Sequence, residues 1–198
     1  MIFRLILSGL ILLMLATGCT AMNPTPNPLD TRPADFKVIY DWQEGSLPPP
    51  YHYEYIVTLA PDGQGQIVMV PDYAFSHPPT WTETFTVTSA QLDQFYRLLV
   101  DQGLFTQRWQ AQSSPPVGGS SDSLTVNAHG QQIIIPTFVI HAQASAAEDI
   151  ATALHALAPR ELWDKLDAKR EQYMPDHPNW MPRLPLERPT GTECHGYE

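Results

Sequence analysis

The sequence predicts an α+β fold: a single antiparallel sheet of about five or six strands, with two or three helices packed on one face. Three observations carry this. Short runs with period-two alternation come in pairs joined by Pro, Gly and Asp turn signals. Segments with helical spacing interrupt the pairs, and each opens on a capping signal and closes on Gly or Pro. The length of 198 residues suits one domain with appendages.

In chain order, Phe36-Lys37-Val38-Ile39-Tyr40-Asp41-Trp42 reads as a strand, and Pro48-Pro49-Pro50 ends the loop after it. Tyr51, Tyr53, Tyr55, Val57 and Leu59 then alternate with His52, Glu54, Ile56 and Thr58, which places the aromatic and aliphatic set on one strand face. Pro61-Asp62-Gly63 is a turn, because Pro presets φ and Gly tolerates positive φ. Gln66 to Val70 returns as the partner strand. A further strand spans Trp81 to Val87, where Trp81, Glu83, Phe85 and Val87 oppose Thr82, Thr84 and Thr86.

Thr88 with Gln91 forms a capping-box pattern, and Leu92, Phe95, Tyr96 and Leu99 follow at helical spacing. Gly103 stops this helix, and Leu104 just beyond it is placed to meet Leu99 as in a Schellman motif. A polar loop from Gln110 to Ser123 precedes a hairpin of Leu124–Ala128 with Gln132–Ile135, and Pro136 marks a strand end or sheet edge. Ser145 with Glu148 predicts the cap of a second helix with Ile150, Leu154 and Leu157 inward. Pro159 stops it and opens a third helix as a first-turn residue. That helix carries Leu162, Trp163 and Leu166 on one side and a Glu161–Lys165 pair on its surface.

Composition narrows the function classes. The formal net charge of −10 argues against nucleic acid, whose phosphates need clustered Lys and Arg. It also argues against a basic membrane-binding patch. The 20 prolines gather outside the regular segments: four lie in Thr20–Pro33, which reads as a tether, and five follow from Pro175 to Glu198 as an irregular tail. The domain plan is therefore a leader at 1–18, a tether at 19–34, a globular body at 35–174 and a tail at 175–198. Trp180 and Leu184 are the tail residues expected to touch the body if it wraps.

The leader begins with Arg4 and an apolar run from Leu5 to Ala16, too short for a bilayer span of about 20 residues. Leu15-Ala16-Thr17-Gly18-Cys19 follows, and it resembles the lipobox of bacterial lipoproteins. That resemblance implies cleavage between Gly18 and Cys19, diacylglycerol on the Cys19 thiol and an acyl chain such as palmitate on the new amine. Two or more chains hold a protein stably on a membrane. The implied location is the cell envelope, facing outside the cytoplasm: the outer membrane of a diderm, since Thr20 is not the Asp of inner-membrane retention, or the outer face of a monoderm's cell membrane. Lipidation of Cys19 leaves Cys194 with no partner in the chain, as a free thiol or a link to another molecule.

Strand pair, helix ending in Gly103-Leu104-Phe105, polar loop, strand pair and helix together resemble emfourin-type inhibitors of bacterial metalloproteases over roughly Tyr51 to Leu157. Uncharacterised lipoprotein domains of similar layout resemble it too. No inhibitory residue is carried over from this likeness.

No catalytic constellation stands out. Gly118-Gly119-Ser120-Ser121-Asp122 lacks the second glycine of a nucleophile elbow and reads as a linker. His129 and His141 lie near strand ends with nothing in the sequence to join them to a serine. Asp62, Asp72, Glu83 and Asp101 read as solvated charges. For metal, neither His52 with Glu54 nor His177 with Cys194-His195 has zinc-site spacing, so no metal or other cofactor is expected. The aromatic set Tyr51, Tyr53 and Tyr55 with Trp81 is the candidate binding surface, since flat rings stack on sugar faces; Trp42 and Trp109 belong to the same set, and the same alternation serves a packed core. The sequence therefore reads as a non-enzymatic envelope lipoprotein whose domain binds a protein or cell-wall glycan. The alternatives are an inhibitor of an extracellular protease and, third, a hydrolase.

Overall fold

The computed structural model describes residues 27–48 and 51–176. The chain divides into two compact units, Met1–Asp30 and Thr31–Glu198. Of the first, Asn27–Asp30 is described and forms a turn in which the Asp30 N–H donates to Asn27 O at 2.9 Å. The leader, Cys19, Pro49–Pro50 and everything after Asp176, including Cys194, lie outside the described residues.

The second unit is the α+β domain that the alternation predicts. Six strands, β1 (Lys37–Gln43), β2 (Glu54–Leu59), β3 (Gln64–Val70), β4 (Trp81–Thr86), β5 (Ser121–Ala128) and β6 (Gln131–Ile135), form one antiparallel sheet in the order β4-β3-β2-β1-β5-β6. Helices α1 (Ser89–Asp101), α2 (His141–His155) and α3 (Arg160–Asp176) accompany the sheet among the described residues. Register puts Val38, Leu59 and Val126 in one row, and Tyr40, Val57, Ile67, Leu124 and Ile135 in the next. These side chains are buried with Leu92, Phe95, Tyr96 and Leu99 of α1, Ile150 and Leu154 of α2 and Leu166 of α3. The opposite face stays open to solvent, with Thr82, Thr84, Thr86, Ile56 and Ile134 exposed.

Local signals explain the first helix. The Thr88 hydroxyl accepts from the Gln91 N–H at 3.3 Å, and the Gln91 side chain accepts from the Thr88 N–H at 3.0 Å. At the other end Gly103 takes φ +73, the Leu104 N–H donates to Leu99 O at 2.9 Å and the Gly103 N–H to Val100 O at 2.9 Å. That is a full Schellman stop. The β5–β6 turn needs positive φ at both central residues, and His129 (56°) and Gly130 (70°) supply it. The Asp35 carboxylate accepts both their N–H groups at 3.0 and 2.7 Å, which lowers its pKa.

Several local expectations are corrected. Helix α2 starts at His141, a turn before Ser145, with Ile140 as N-cap and no side-chain cap. Tertiary pairing decides this: a bridge joins Ala111 to Val139, the Ile140 N–H donates to Gln110 O, and the buried Gln143 amide bonds Gln110 N, Arg108 O and Gln107. The second correction concerns β2, which begins at Glu54, so Tyr51 lies outside the ladder and is 57% exposed. Its N–H turns back to Pro48 O at 2.9 Å, at the edge of the proline run. His52, expected on the solvent side, is buried and stacked on Tyr73 at 3.9 Å. Third, Lys165 pairs with Glu83 at 2.7 Å and not with Glu161, because Glu83 offers one carboxylate to Lys165 and Lys169 together. Pro159 also stands one place earlier than expected, outside α3, with its carbonyl accepting from Leu162.

Candidate functional site

The inward face of the sheet carries one row that is not aliphatic. Register aligns Trp81 on β4, Met69 on β3, Tyr55 on β2, Trp42 on β1 and Asp122 on β5. Alternation places all five toward the helices, as it does Tyr40 and Tyr53 one pair away. The rings form a ladder. Trp42 stacks on Tyr55 at 5.0 Å and meets Tyr53 at 4.8 Å, and Tyr55 meets the edge of Trp163 on α3 at 5.2 Å. Trp163 in turn stacks on His155 at 3.9 Å and donates its indole N–H to the His155 carbonyl at 3.3 Å.

Helix α3 covers the ladder on the β2–β4 side. Arg170 sits over the Tyr53 ring at 4.1 Å, and Tyr173 stands edge-on to Trp81 at 6.3 Å. On the β1–β5 side the cover is incomplete. There α2 presents Ala144, Ala147 and Ala151, and these short side chains leave a cavity of about 490 Å³ against Tyr40, Trp42 and Asp122. Leu124, Ile135 and Ile150 give its apolar wall, and Gln112, Ser120 and Glu148 its polar rim. A shallower hollow against Tyr40, Tyr55 and His155 adjoins it, sharing Tyr40, Ala151 and Thr152. The volume lies within the range of small-ligand sites, and the mixture of apolar wall and few polar groups is typical of them.

Protonation states follow from burial and charge. Burial and the nearby Asp122 charge push the Tyr40 phenol far above its usual value, and burial with Tyr53 and Asp122 does the same to Tyr55. Both phenols therefore remain neutral hydrogen-bond donors at physiological pH. Burial lowers the His155 pKa, with a smaller opposing effect of Asp167, which favours the neutral ring. Another hollow, of about 720 Å³, lies around Ala156–Asp164, but its Arg160 and Asp167 already have partners, Asp164 at 3.8 Å and Arg170 at 3.6 Å.

The residues singled out in the sequence are distributed as follows. Tyr53 and Tyr55 lie together in the ladder with Trp42. Trp81 shares their row but stands at the edge strand under Tyr173, and Tyr51 is outside the sheet. Trp109 packs at the core margin and donates to Leu104 O at 3.4 Å. Gly18 and Cys19 fall outside the described residues. Ser121 and Asp122 belong to β5, not to a linker, while Gly118 and Gly119 precede it at φ +86. His129 meets the Tyr96 hydroxyl at 2.8 Å, and His141 opens α2. Asp72 and Glu83 are not solvated charges. Asp72 is fully buried, accepting from Tyr73 N at 2.7 Å and the Tyr173 hydroxyl at 3.4 Å, and Glu83 is held by its two lysines. Among the described residues no three His, Cys, Asp or Glu side chains are grouped to hold a metal ion, and no helix is long and apolar enough to cross a membrane.

The residues that sequence reasoning passed over are Tyr40, Asp122 and Glu148. Asp122 had a signal, because it shares parity with the buried Leu124, Val126 and Ala128. Compared with known proteins, the chain matches no protein-family model and no curated sequence.

Proposed function

We propose that this protein is a lipid-anchored envelope lipoprotein whose α+β domain is a non-enzymatic binding module for a protein or cell-wall component. The binding half of this reading is carried by one observation, the cavity beside α2 in which a neutral phenol, an indole and two carboxylates meet an apolar wall. Four features of that kind in one concave site are what ligand orientation needs. The address rests on the leader and on Leu15-Ala16-Thr17-Gly18-Cys19, with the thiol of Cys19 as the group that takes diacylglycerol and its new amine as the acylated one.

Two measurements test the halves separately. Radiolabelled palmitate fed to expressing cells should label the wild-type chain and not Cys19→Ser, and the variant should be released or remain unprocessed. A variant still membrane-bound after normal cleavage overturns the address. For binding, the full chain in detergent is used to capture envelope extract beside Ala147→Trp, which fills the cavity. Partners retained equally by both proteins remove the cavity from the reading.

The second reading, inhibition of an extracellular metalloprotease, is favoured by the order hairpin, α1 ending at Gly103-Leu104-Phe105, loop, hairpin and α2. Titration against metalloproteases tests it, and no inhibition at micromolar excess removes it.

A further inference from the structure

Resting on the binding-module reading, we propose that the cavity between α2 and strands β1 and β5 takes an aliphatic ammonium group, seated between the Trp42 indole and the Asp122 carboxylate.

Asp122 is the first reason. It occupies an inward register position, opposite Trp42, on a sheet face otherwise almost wholly apolar. At that position Asp122 is half-buried, so its carboxylate loses part of its hydration, and the group that reaches it is the neutral Tyr40 phenol. Glu83, the other acidic side chain on the inward face, has two lysines. Among the described residues no Lys, Arg or His forms an ion pair with Asp122.

The lining supplies the second reason. It contains a second carboxylate, Glu148, and, among the described residues, no Lys, Arg or His. His155, in the adjoining hollow, is favoured neutral by burial. Within a chain of net charge −10, the local field and the overall field both select a cation.

The ladder supplies the third. Tyr55 on β2 and Tyr53 just before it take that side of the Trp42 indole, which leaves the β5 side, where Asp122 lies. An aromatic face next to a carboxylate is the chemistry that holds ammonium groups. The protein already uses this ladder so once: Arg170 rests on Tyr53 at 4.1 Å. The Trp42–Asp122 position is the same kind of seat, and among the described residues no cationic side chain is paired with it. Leu124, Ile135, Ile150 and the α2 alanines line the rest of the cavity, and they suit a methylene chain behind the charged head.

The test uses the full chain in detergent and titration calorimetry with four probes: hexylamine, its neutral isostere hexanol, Nα-acetyl-lysine methylamide and cellobiose. Hexylamine should bind about tenfold or more tighter than hexanol, as expected for a desolvated cation–π and carboxylate seat. Asp122→Asn should lower hexylamine affinity about tenfold and leave hexanol unchanged, and Glu148→Gln, on the exposed rim, should lower it about two- to threefold. Glu148→Gln keeps the test valid should Asp122→Asn fail to unfold cooperatively. Tighter binding of the lysine probe than of hexylamine identifies a protein side chain as the source of the ammonium, and the reverse identifies a free amine. Equal affinity for hexylamine and hexanol overturns the proposal. So does cellobiose binding that Ala147→Trp abolishes while hexylamine stays silent, but that result keeps the binding module. Silence of all four probes at millimolar concentration overturns the proposal and leaves the module without small-molecule support.

Discussion

Two carboxylates on the same sheet face meet opposite fates. Glu83, on edge strand β4, is met by Lys165 at 2.7 Å and Lys169 at 2.9 Å from α3, whereas Asp122, on β5, faces a cavity lined by alanines of α2. The difference is in the helices. α3 carries long side chains across β2–β4: Trp163 on Tyr55, Arg170 on Tyr53, Tyr173 on Trp81. α2 gives three alanines to the cavity over β1–β5. One half of the face is closed and charge-balanced, and the other is left with room and a carboxylate that no cation among the described residues pairs. Closed packing serves stability, and the open half is where we place the proposed ligand.

The sharpest way to break this contrast is to hollow out the closed half. Leu166 of α3 is fully buried, so Leu166→Ala should cost about 2–5 kcal/mol, the range for a core leucine. Urea unfolding followed by circular dichroism reads the loss. A cost under about 1 kcal/mol would mean that α3 is loosely seated, and the two halves would then not differ as described.

Overfilling the closed half comes next. Gly65 on β3 lies opposite Phe85 on β4, and a Cβ added at Gly65 would overlap the Phe85 ring. That ring is buried and cannot simply swing into water. Gly65→Ala should therefore destabilise by about 1–3 kcal/mol, although alanine is the better strand residue, and Phe85→Leu should relieve part of the loss in the double variant. Additive losses in thermal unfolding would show that the clash is not the cause.

Legibility in the sequence followed the range of the interaction that decides each element. The Thr88–Gln91 box and the Gly103 stop involve neighbours within one turn, and both were readable. The α2 start was not, because the Ala111–Val139 bridge and the Gln143 amide outweigh a Ser145 cap that would otherwise have served. Tyr53 and Tyr55 were legible as an inward pair through alternation alone. Tyr51 followed the same alternation but lost its ladder partner beside the proline run. The seat itself was hidden, since Trp42 and Asp122 meet only through the β1–β5 register. Strand parity identifies a charge on the inward side, and only the sheet order says which ring it faces.

A smaller effect is expected at Glu83. Hydrogen bonds from Lys165 and then Lys169 hold its pKa below the ordinary value of 4.5. A lowered folded value means that the contribution is fully present above the unfolded pKa and is lost as pH falls through the folded one. The lysines are partly solvated, at 55% and 36% exposure, so Glu83→Gln should cost no more than about 1 kcal/mol at neutral pH. The wild type should lose that advantage on acidification below 4.5, and the two unfolding curves should converge there. Parallel pH profiles would detach Glu83 from the lysines.

The smallest change, and the one of opposite sign, belongs to Asp122. Removing a carboxylate that has a cation costs stability, while removing one that lacks a cation relieves desolvation without breaking a pair. The asparagine has nearly the same shape and can still accept a hydrogen bond from the Tyr40 phenol, whose pKa the Asp122 charge now helps to raise. Asp122→Asn should thus leave unfolding free energy within about 0.5 kcal/mol of wild type or raise it slightly, in contrast to Glu83→Gln. A loss as large as that of Glu83→Gln, or larger, would mean that Asp122 is a structural anchor like Glu83, since only a carboxylate held by favourable partners is missed on removal. Neutral or improved stability places the charge outside the needs of folding, and a charge kept on the inward face without serving the fold is one kept for what enters the cavity.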